Sequence, residues 1–243
     1  MNLWSYLGLN KYMSQPISAI IPAFNEAKRI SQILEVLRKV QAVKEIIVVD
    51  DGSSDDTAGV AGHFSGVKVI RSTYNQGKTK SVRIGVREAK YEALLLMDAD
   101  LEGLKPFHLT RLIDVWSSGY RMMILNYSSQ EWVLRTITKG FPALSGVRCL
   151  EKKDFNQIKF LDTDRFELET RINRFFLDRK LPIGWIEGRG VRTPHKLAKY
   201  GPIYGNWLEY LACREIAFAN GRLGGWGLLK QWHQIAGMRV NSD

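Results

Sequence analysis

The sequence predicts an α/β fold built on a mostly parallel sheet flanked by helices. Two observations carry that expectation. Between Pro16 and Asp100, short apolar runs alternate with segments of helical periodicity, the pattern of strands joined by crossover helices. Each of the first four apolar runs also ends in a polar cluster, as expected where strands of an open parallel sheet deliver their ends to a ligand crevice.

The elements follow in order. Ile17–Pro22 reads as the first strand. Glu26–Val40 reads as a helix, with Ile30, Ile33, Leu34 and Leu37 on one face at i, i+3, i+4 and i+7. Glu45–Val49 is a second strand, and the Ser53–Asp56 stretch supplies capping side chains for a helix running to His63. Val67–Arg71 is a third strand. Lys78–Lys90 is a third helix, with Val82, Gly85, Val86 and Ala89 inward, and Tyr91–Asp98 is a fourth strand ending in acid. Pro106–Gly119 is amphipathic through Phe107, Leu109, Leu112, Ile113 and Trp116. Beyond Tyr120 the alternation weakens. Arg121–Leu125 and Leu181–Val191 read as strands; Trp132–Phe141, Leu161–Asp178 and Tyr204–Asn220 read as helices. The expected division is a tail over residues 1–15, a main domain over 16–200 and a helical C-terminal extension over 201–243.

Composition narrows the function classes. With 243 residues, 45% hydrophobic and 25% charged, the chain suffices for one large folded domain. Cys149 and Cys213 stand far apart without CxxC spacing, which predicts reduced thiols in a cytoplasmic protein. No run reaches the ~18 apolar residues of a membrane span. The formal net charge of +10 favours phosphate-rich partners. Lys and Arg are dense only in Arg189–Lys199, and nucleic-acid signatures such as an aromatic RNP run or C2H2 spacing are absent. A phosphorylated substrate and a lipid surface account for the charge better than nucleic acid does.

Four clusters carry the candidate chemistry. Strand one ends in Pro22-Ala23-Phe24-Asn25-Glu26 and strand two in Asp50-Asp51-Gly52-Ser53-Ser54-Asp55-Asp56-Thr57; Asn75-Gln76-Gly77-Lys78 follows strand three, and strand four ends in Asp98-Ala99-Asp100. Asp50 or Asp51 can accept hydrogen bonds from ribose hydroxyls or a base N–H. Lys78 opens a helix, where free N–H groups and an ammonium suit phosphate. Asp98 and Asp100, two residues apart, point the same way if the backbone stays extended, and two carboxylates can share Mg²⁺ or Mn²⁺ with a diphosphate. Each cluster alone has a plain structural explanation: a solvated turn, a capping serine, a surface loop. Their order on consecutive strand ends argues for one site.

Ile21-Pro22-Ala23-Phe24-Asn25-Glu26, Val48-Val49-Asp50-Asp51-Gly52-Ser53-Ser54-Asp55, Asn75-Gln76-Gly77-Lys78 and Met97-Asp98-Ala99-Asp100-Leu101 resemble family 2 glycosyltransferases of the GT-A fold. The likeness is concentrated in residues 16–104. It implies an inverting, metal-dependent transferase using a UDP- or GDP-sugar, with Pro22, Asn25, Glu26 and Asp51 at the nucleoside and Asp98 and Asp100 at metal and diphosphate. Further on, Ala143–Leu150 and Arg165–Glu169 are similar to segments of polyprenyl-phosphate (dolichol-phosphate) sugar synthases. That resemblance adds Glu102 to the metal set and places Arg148 and the basic stretch with Arg189, Arg192 and Lys196 at an acceptor phosphate. It departs where Asp164-Arg165 replaces the usual Gly-Tyr. The (Q/R)xxRW signature of processive synthases is absent.

The expected reaction is attack by a lipid phosphate on the anomeric carbon, at the cytoplasmic face of a membrane to which the protein binds peripherally. An anionic acceptor oxygen needs no strong base. A soluble, protein-linked or glycan hydroxyl would need one, and Asp164, backed by Asp162, is the candidate, with helix capping as its structural alternative. Arg148 and Asp100 complete the catalytic candidates. A nucleotidyltransferase would carry an early glycine-rich run, and none follows Ile17–Pro22. A non-catalytic nucleotide-binding protein is the alternative of another class.

Overall fold

A computed structural model describes residues 15–129, 144–164, 167–194 and 227–240. Its strands are β1 (Ile17–Ala23), β2 (Val43–Asp50), β3 (Val67–Arg71), β4 (Ala93–Leu96), β5 (Met122–Ser129), β6 (Arg148–Glu151) and β7 (Ile183–Thr193). Its helices are α1 (Ile30–Leu37), α2 (Thr57–Gly62), α3 (Lys78–Glu88), α4 (Pro106–Ser117), the single turn α5 (Lys152–Phe155), α6 (Leu168–Asp178) and α7 (Gly227–Ala236). The strands form one sheet in the order β3-β2-β1-β4-β6-β5-β7. β6 runs antiparallel to both β4 and β5; the other pairings are parallel. The expected mostly parallel α/β architecture is the one observed.

The strands are apolar on both faces because both faces are covered. One core collects Ile21, Val48, Leu95 and Met123 against Ile33, Leu37, Leu109, Leu112 and Trp116 of α1 and α4. The other sets Ile20, Val49, Leu96 and Ile124 against Val82 and Val86 of α3 and Ile172 and Phe176 of α6. α3 comes close enough that a Cβ at Gly85 would overlap Ile20, so glycine there permits the contact. α7 caps the same side: Ile235 is fully buried, Trp185 Nε1 donates to the Ala236 carbonyl at 3.3 Å, and Gln231 Nε2 donates to the Thr170 carbonyl at 3.4 Å.

Several boundaries move for local reasons. α1 begins at Ile30 because Asn25 takes a left-handed conformation (φ 56°) and residues 26–29 form a turn closed by Arg29 N–H on the Glu26 carbonyl at 2.9 Å. α6 begins at Leu168 because Asp164 holds the preceding loop, accepting the Leu161 N–H at 2.7 Å. β5 continues to Ser129, past the expected end at Leu125. β6 carries no period-two signal, since all four of its residues are buried. The helices expected at Trp132–Phe141 and Tyr204–Asn220 lie outside the described residues. Among the described residues, no helix is long and apolar enough to cross a membrane.

Candidate active site at the carboxyl ends of the strands

The loops after β1 and β2 are stitched together. Asn25 N–H donates to Ser53 Oγ at 2.9 Å, and Asn25 Oδ1 accepts the Ser54 N–H at 2.9 Å. Glu26 N–H donates to Thr57 Oγ1 at 2.8 Å, and Ala27 N–H to Asp55 Oδ2 at 3.1 Å. Asp50 is fully buried at the tip of β2, accepting the Ser53 N–H at 3.0 Å and facing Arg71 Nε at 3.4 Å. Its neighbour Asp51 reaches sideways: its two oxygens accept the Gln76 N–H at 2.9 Å and the Gly77 N–H at 2.8 Å. Asp51 therefore fixes the turn that launches α3. Gly52 is required between these loops, because at φ 74° a Cβ would stand 2.5 Å from the Tyr74 carbonyl carbon. Pro22 lies in β1 opposite Val49, next to this stitched rim.

Gly77, at φ 95°, lets the chain turn directly into α3. Lys78 thereby aims across the rim. Its Nζ lies 2.5 Å from Asp98 Oδ1 and 2.6 Å from Glu169 Oε1, joining the start of α3, the end of β4 and the first turn of α6. The other oxygen of Asp98 accepts a hydrogen bond from the Tyr127 hydroxyl on β5. Tyr127 Oη in turn accepts the Gly146 N–H at 3.2 Å, and a Cβ on Gly146 would collide with the Asp98 carboxylate.

Burial penalises both partners of the central pair, but each is outweighed by the other's charge. Lys78 is held above its ordinary value by Asp98 and Glu169, and Asp98 below its own by Lys78 and Tyr127. Asp100 has less compensation. Burial and the nearby Asp98 charge push its carboxyl up to about 6. The backbone does not stay extended between them; it turns at Ala99–Asp100.

Glu102 goes elsewhere. It exchanges both backbone hydrogen bonds with Arg192, at 2.9 and 3.0 Å, and its Oε2 lies 3.2 Å from Arg192 Nε. Among the described residues, no cluster of three acidic, His or Cys side chains fit to hold a metal occurs, so the three-carboxylate set Asp98, Asp100 and Glu102 is not assembled here. His108 fastens the same strap. Its Nδ1 accepts the Lys105 N–H at 3.0 Å, which leaves Nε2 to donate to the Arg189 carbonyl at 3.1 Å. The Arg189 side chain is exposed and lies 3.5 Å from Glu187. Lys196 is outside the described residues.

Two predicted residues sit inside the protein. Arg148 is 1% exposed; its Nε donates to the Ser145 carbonyl at 2.8 Å and its Nη1 to Asn173 Oδ1. Burial lowers its guanidinium to about 10, against the opposing pull of Glu169, Tyr127 and Asp98, so it remains a cation beneath the site. Asp164 is fully buried. Arg171 Nη2 donates to its Oδ1 at 2.8 Å, and Arg171 Nε lies 2.7 Å from its Oδ2. Burial would raise its pKa, but hydrogen bonds from Glu167 and Arg171 outweigh this and keep it low. Asp162 is exposed, 3.9 Å from Arg83. Sequence reasoning gave Tyr127 and Glu169 no part in this cluster. Both come to it from the weakly patterned second half, and a lone Tyr in β5 carries no signal of its own.

Comparison with known proteins agrees with this architecture. The chain is 36% identical over 104 residues to an uncharacterised protein of Methanocaldococcus jannaschii, covering 39% of this chain and 44% of that one. It is 36% identical over 102 residues to dolichyl-phosphate beta-glucosyltransferase of Mus musculus, covering 36% and 32% of the two chains. These curated relatives are thus matched over less than half of their length. Among solved structures, glucosyl-3-phosphoglycerate synthase from Mycobacterium tuberculosis, in complex with Mn²⁺, UDP-glucose and phosphoglyceric acid, superposes with a TM-score of 0.69 at 18% identity. The superposition covers 93% of this chain and 85% of that one. The family model for glycosyl transferase family 2 matches residues 18–182. With more than half of its length matched to that model and a GT-A sheet beneath it, this chain belongs to glycosyltransferase family 2.

Proposed function

We propose that the protein transfers a sugar, with inversion, from a UDP- or GDP-sugar to a lipid-phosphate acceptor at the cytoplasmic face of a membrane. The observation that carries this reading is the meeting of Asp98, Asp100 and Lys78 at the carboxyl end of β4, beside the stitched β1 and β2 loops. Residues 16–200 form the proposed catalytic domain, and 201–243 the helical extension. Pro22, Asn25, Glu26, Asp50 and Asp51 are assigned to the nucleoside, and Lys78 to the diphosphate.

The residues present fit a divalent cation. Asp100 is a half-buried carboxylate short of positive charge, and Asp98 offers a second hard oxygen donor. Two carboxylates completed by diphosphate oxygens and water are the usual provision for Mg²⁺ or Mn²⁺. Such an ion would neutralise charge growing on the departing diphosphate. Lys78 adds an ammonium on the same side, and Arg148 adds positive potential from below.

The phosphate acceptor is favoured over a hydroxyl by the state of Asp164. A hydroxyl needs a base, and Asp164 is clamped by Arg171 and held at low pKa, a poor proton acceptor near neutral pH. A phosphate acceptor needs only cations to seat it; Arg189, Arg192 and Lys196 are proposed for that role. The relatives named for dolichyl phosphate and undecaprenyl phosphate support the same choice. The test is incubation with tritiated UDP- and GDP-sugars, Mn²⁺ and a membrane lipid extract. Label should enter the organic phase with one donor. Transfer found only in the aqueous phase would replace the lipid with a hydroxyl acceptor, and no transfer with any donor would leave a nucleotide-binding protein.

A further inference from the structure

We infer that Lys78 is an internal counter-cation for Asp98, which a free divalent ion must displace, and that Glu169 is the second seat to which Lys78 withdraws when ion and donor arrive together. The inference rests on the donor site proposed above and adds to it the order in which its parts assemble.

The geometry gives Lys78 two seats and one root. Its backbone is fixed, because Asp51 Oδ2 holds the Gly77 N–H at 2.8 Å and Gly77 starts the helix. Its Nζ stands between Asp98 Oδ1 at 2.5 Å and Glu169 Oε1 at 2.6 Å, so a small swing of the side chain exchanges one carboxylate for the other. The remaining oxygen of Asp98 is occupied by Tyr127. An ion approaching the free protein therefore meets Asp100 unpaired with any cation at hydrogen-bonding range among the described contacts, and Asp98 already neutralised. Binding through Asp98 must first break a partly buried ion pair, which carries a penalty unless the released charge finds a partner.

Glu169 is that partner. It belongs to the first turn of α6, and the Arg148 cation sits close enough to interact with it. Arg148 is itself fixed from below by Ser145 and by Asn173, one turn further along α6. A nucleoside diphosphate brings both oxygen ligands for the ion and a new anion for Lys78. The pair should thus bind together much more tightly than the ion binds alone, a coupling that is reciprocal by linkage.

The test uses Mn²⁺ alone, its binding to the full chain measured by electron paramagnetic resonance of the free ion, then repeated with UDP and with GDP. Lys78→Gln should bind Mn²⁺ alone about tenfold more tightly than the unaltered protein, because Asp98 is released. Glu169→Gln, which leaves Lys78 with Asp98 as its sole carboxylate partner, should bind it about threefold or more weakly. Lys80→Gln removes the same charge from the same helix without touching the pair and should change nothing. An affinity in Lys78→Gln equal to or below that of the unaltered protein overturns the inference, as does an equal rise in Lys80→Gln. Should Lys78→Gln fail to fold, Glu169→Gln decides: weaker binding supports the inference and unchanged or tighter binding overturns it. Absence of UDP and GDP binding in every protein would instead overturn the donor site, since the Mn²⁺-only comparison involves no nucleotide.

Discussion

Glu102 and Arg192 face each other as an antiparallel pair ninety residues apart, bonded through both backbones and, at 3.2 Å, through their side chains. The loop after the Asp98–Asp100 turn is thereby clipped to the end of β7, within the basic stretch proposed for the acceptor. Both side chains are partly exposed, so the ion pair itself adds little stability; a double-mutant cycle with Glu102→Gln and Arg192→Gln should give a coupling of about 0.2–1 kcal/mol in urea unfolding. The backbone clip should persist in both variants. If Glu102 serves Arg192 rather than a metal, Glu102→Gln should leave Mn²⁺ affinity within about threefold, while Asp100→Asn loses at least tenfold.

Arg148 should be the costliest cation to remove. It is wholly buried and hydrogen-bonded to Ser145 and Asn173, with Glu169 nearby. Arg148→Ala takes the donor away from the Ser145 carbonyl and Asn173 Oδ1 in a buried place and should lower unfolding stability by about 3–5 kcal/mol. Arg192→Ala, at the exposed rim, should cost less than about 1 kcal/mol. Similar losses in the two variants, read from urea midpoints, would contradict the buried placement of Arg148.

Acid should loosen the turn before α6. The folded Asp164 carboxyl is held below its ordinary value by Glu167 and Arg171 despite burial. A depressed pKa means the folded state favours the ionised form, so the stabilisation is complete above about pH 5 and is lost as pH falls below about 4. Asp164→Asn should be less stable than the unaltered protein at pH 7, and the gap should shrink steadily towards pH 3. Thermal melts across that range measure it; a constant gap would mean Asp164 does not titrate as described. The same variant should retain transfer to a phosphate acceptor in proportion to its folded fraction.

Gly52 should tolerate no side chain. Gly52→Ala would force a Cβ into the Tyr74 backbone at a positive φ, with a strain of about 1–3 kcal/mol. Because the neighbouring loops hold Asp50, Asp51 and Asn25, weaker UDP or GDP binding should accompany the lowered melting temperature.

How much of this was legible beforehand follows from where the information lies. β1 to β4 and their helices announce themselves because each strand is a short apolar run, β-branched in the first three, and the connections between them read as helices. The polar strand ends are visible for the same reason: they interrupt apolar runs at regular intervals. β6 was hidden because four buried residues in a row, Arg148 to Glu151, have no alternation to read, and one is an arginine. The partners of Lys78 were hidden differently. Asp98 and Glu169 lie 20 and 91 positions away, and only sheet order brings them to one ammonium. Asp51 shows the limit most clearly, since its type suggested a ligand contact, while nothing in the sequence shows that its two oxygens also accept the Gln76 and Gly77 amides and so set the turn into α3.

The reversed direction of β6 has a consequence for how such a protein can diversify. β5 ends, and β6 begins, at the same edge of the sheet where Asp98 stands. The strand ends Ser129 and Arg148 therefore both stand at that rim, and the connection between them can change in length or sequence with the seven-stranded scaffold unaltered. Change there is separable from the ladder that holds the rim together, which stays under its own constraint.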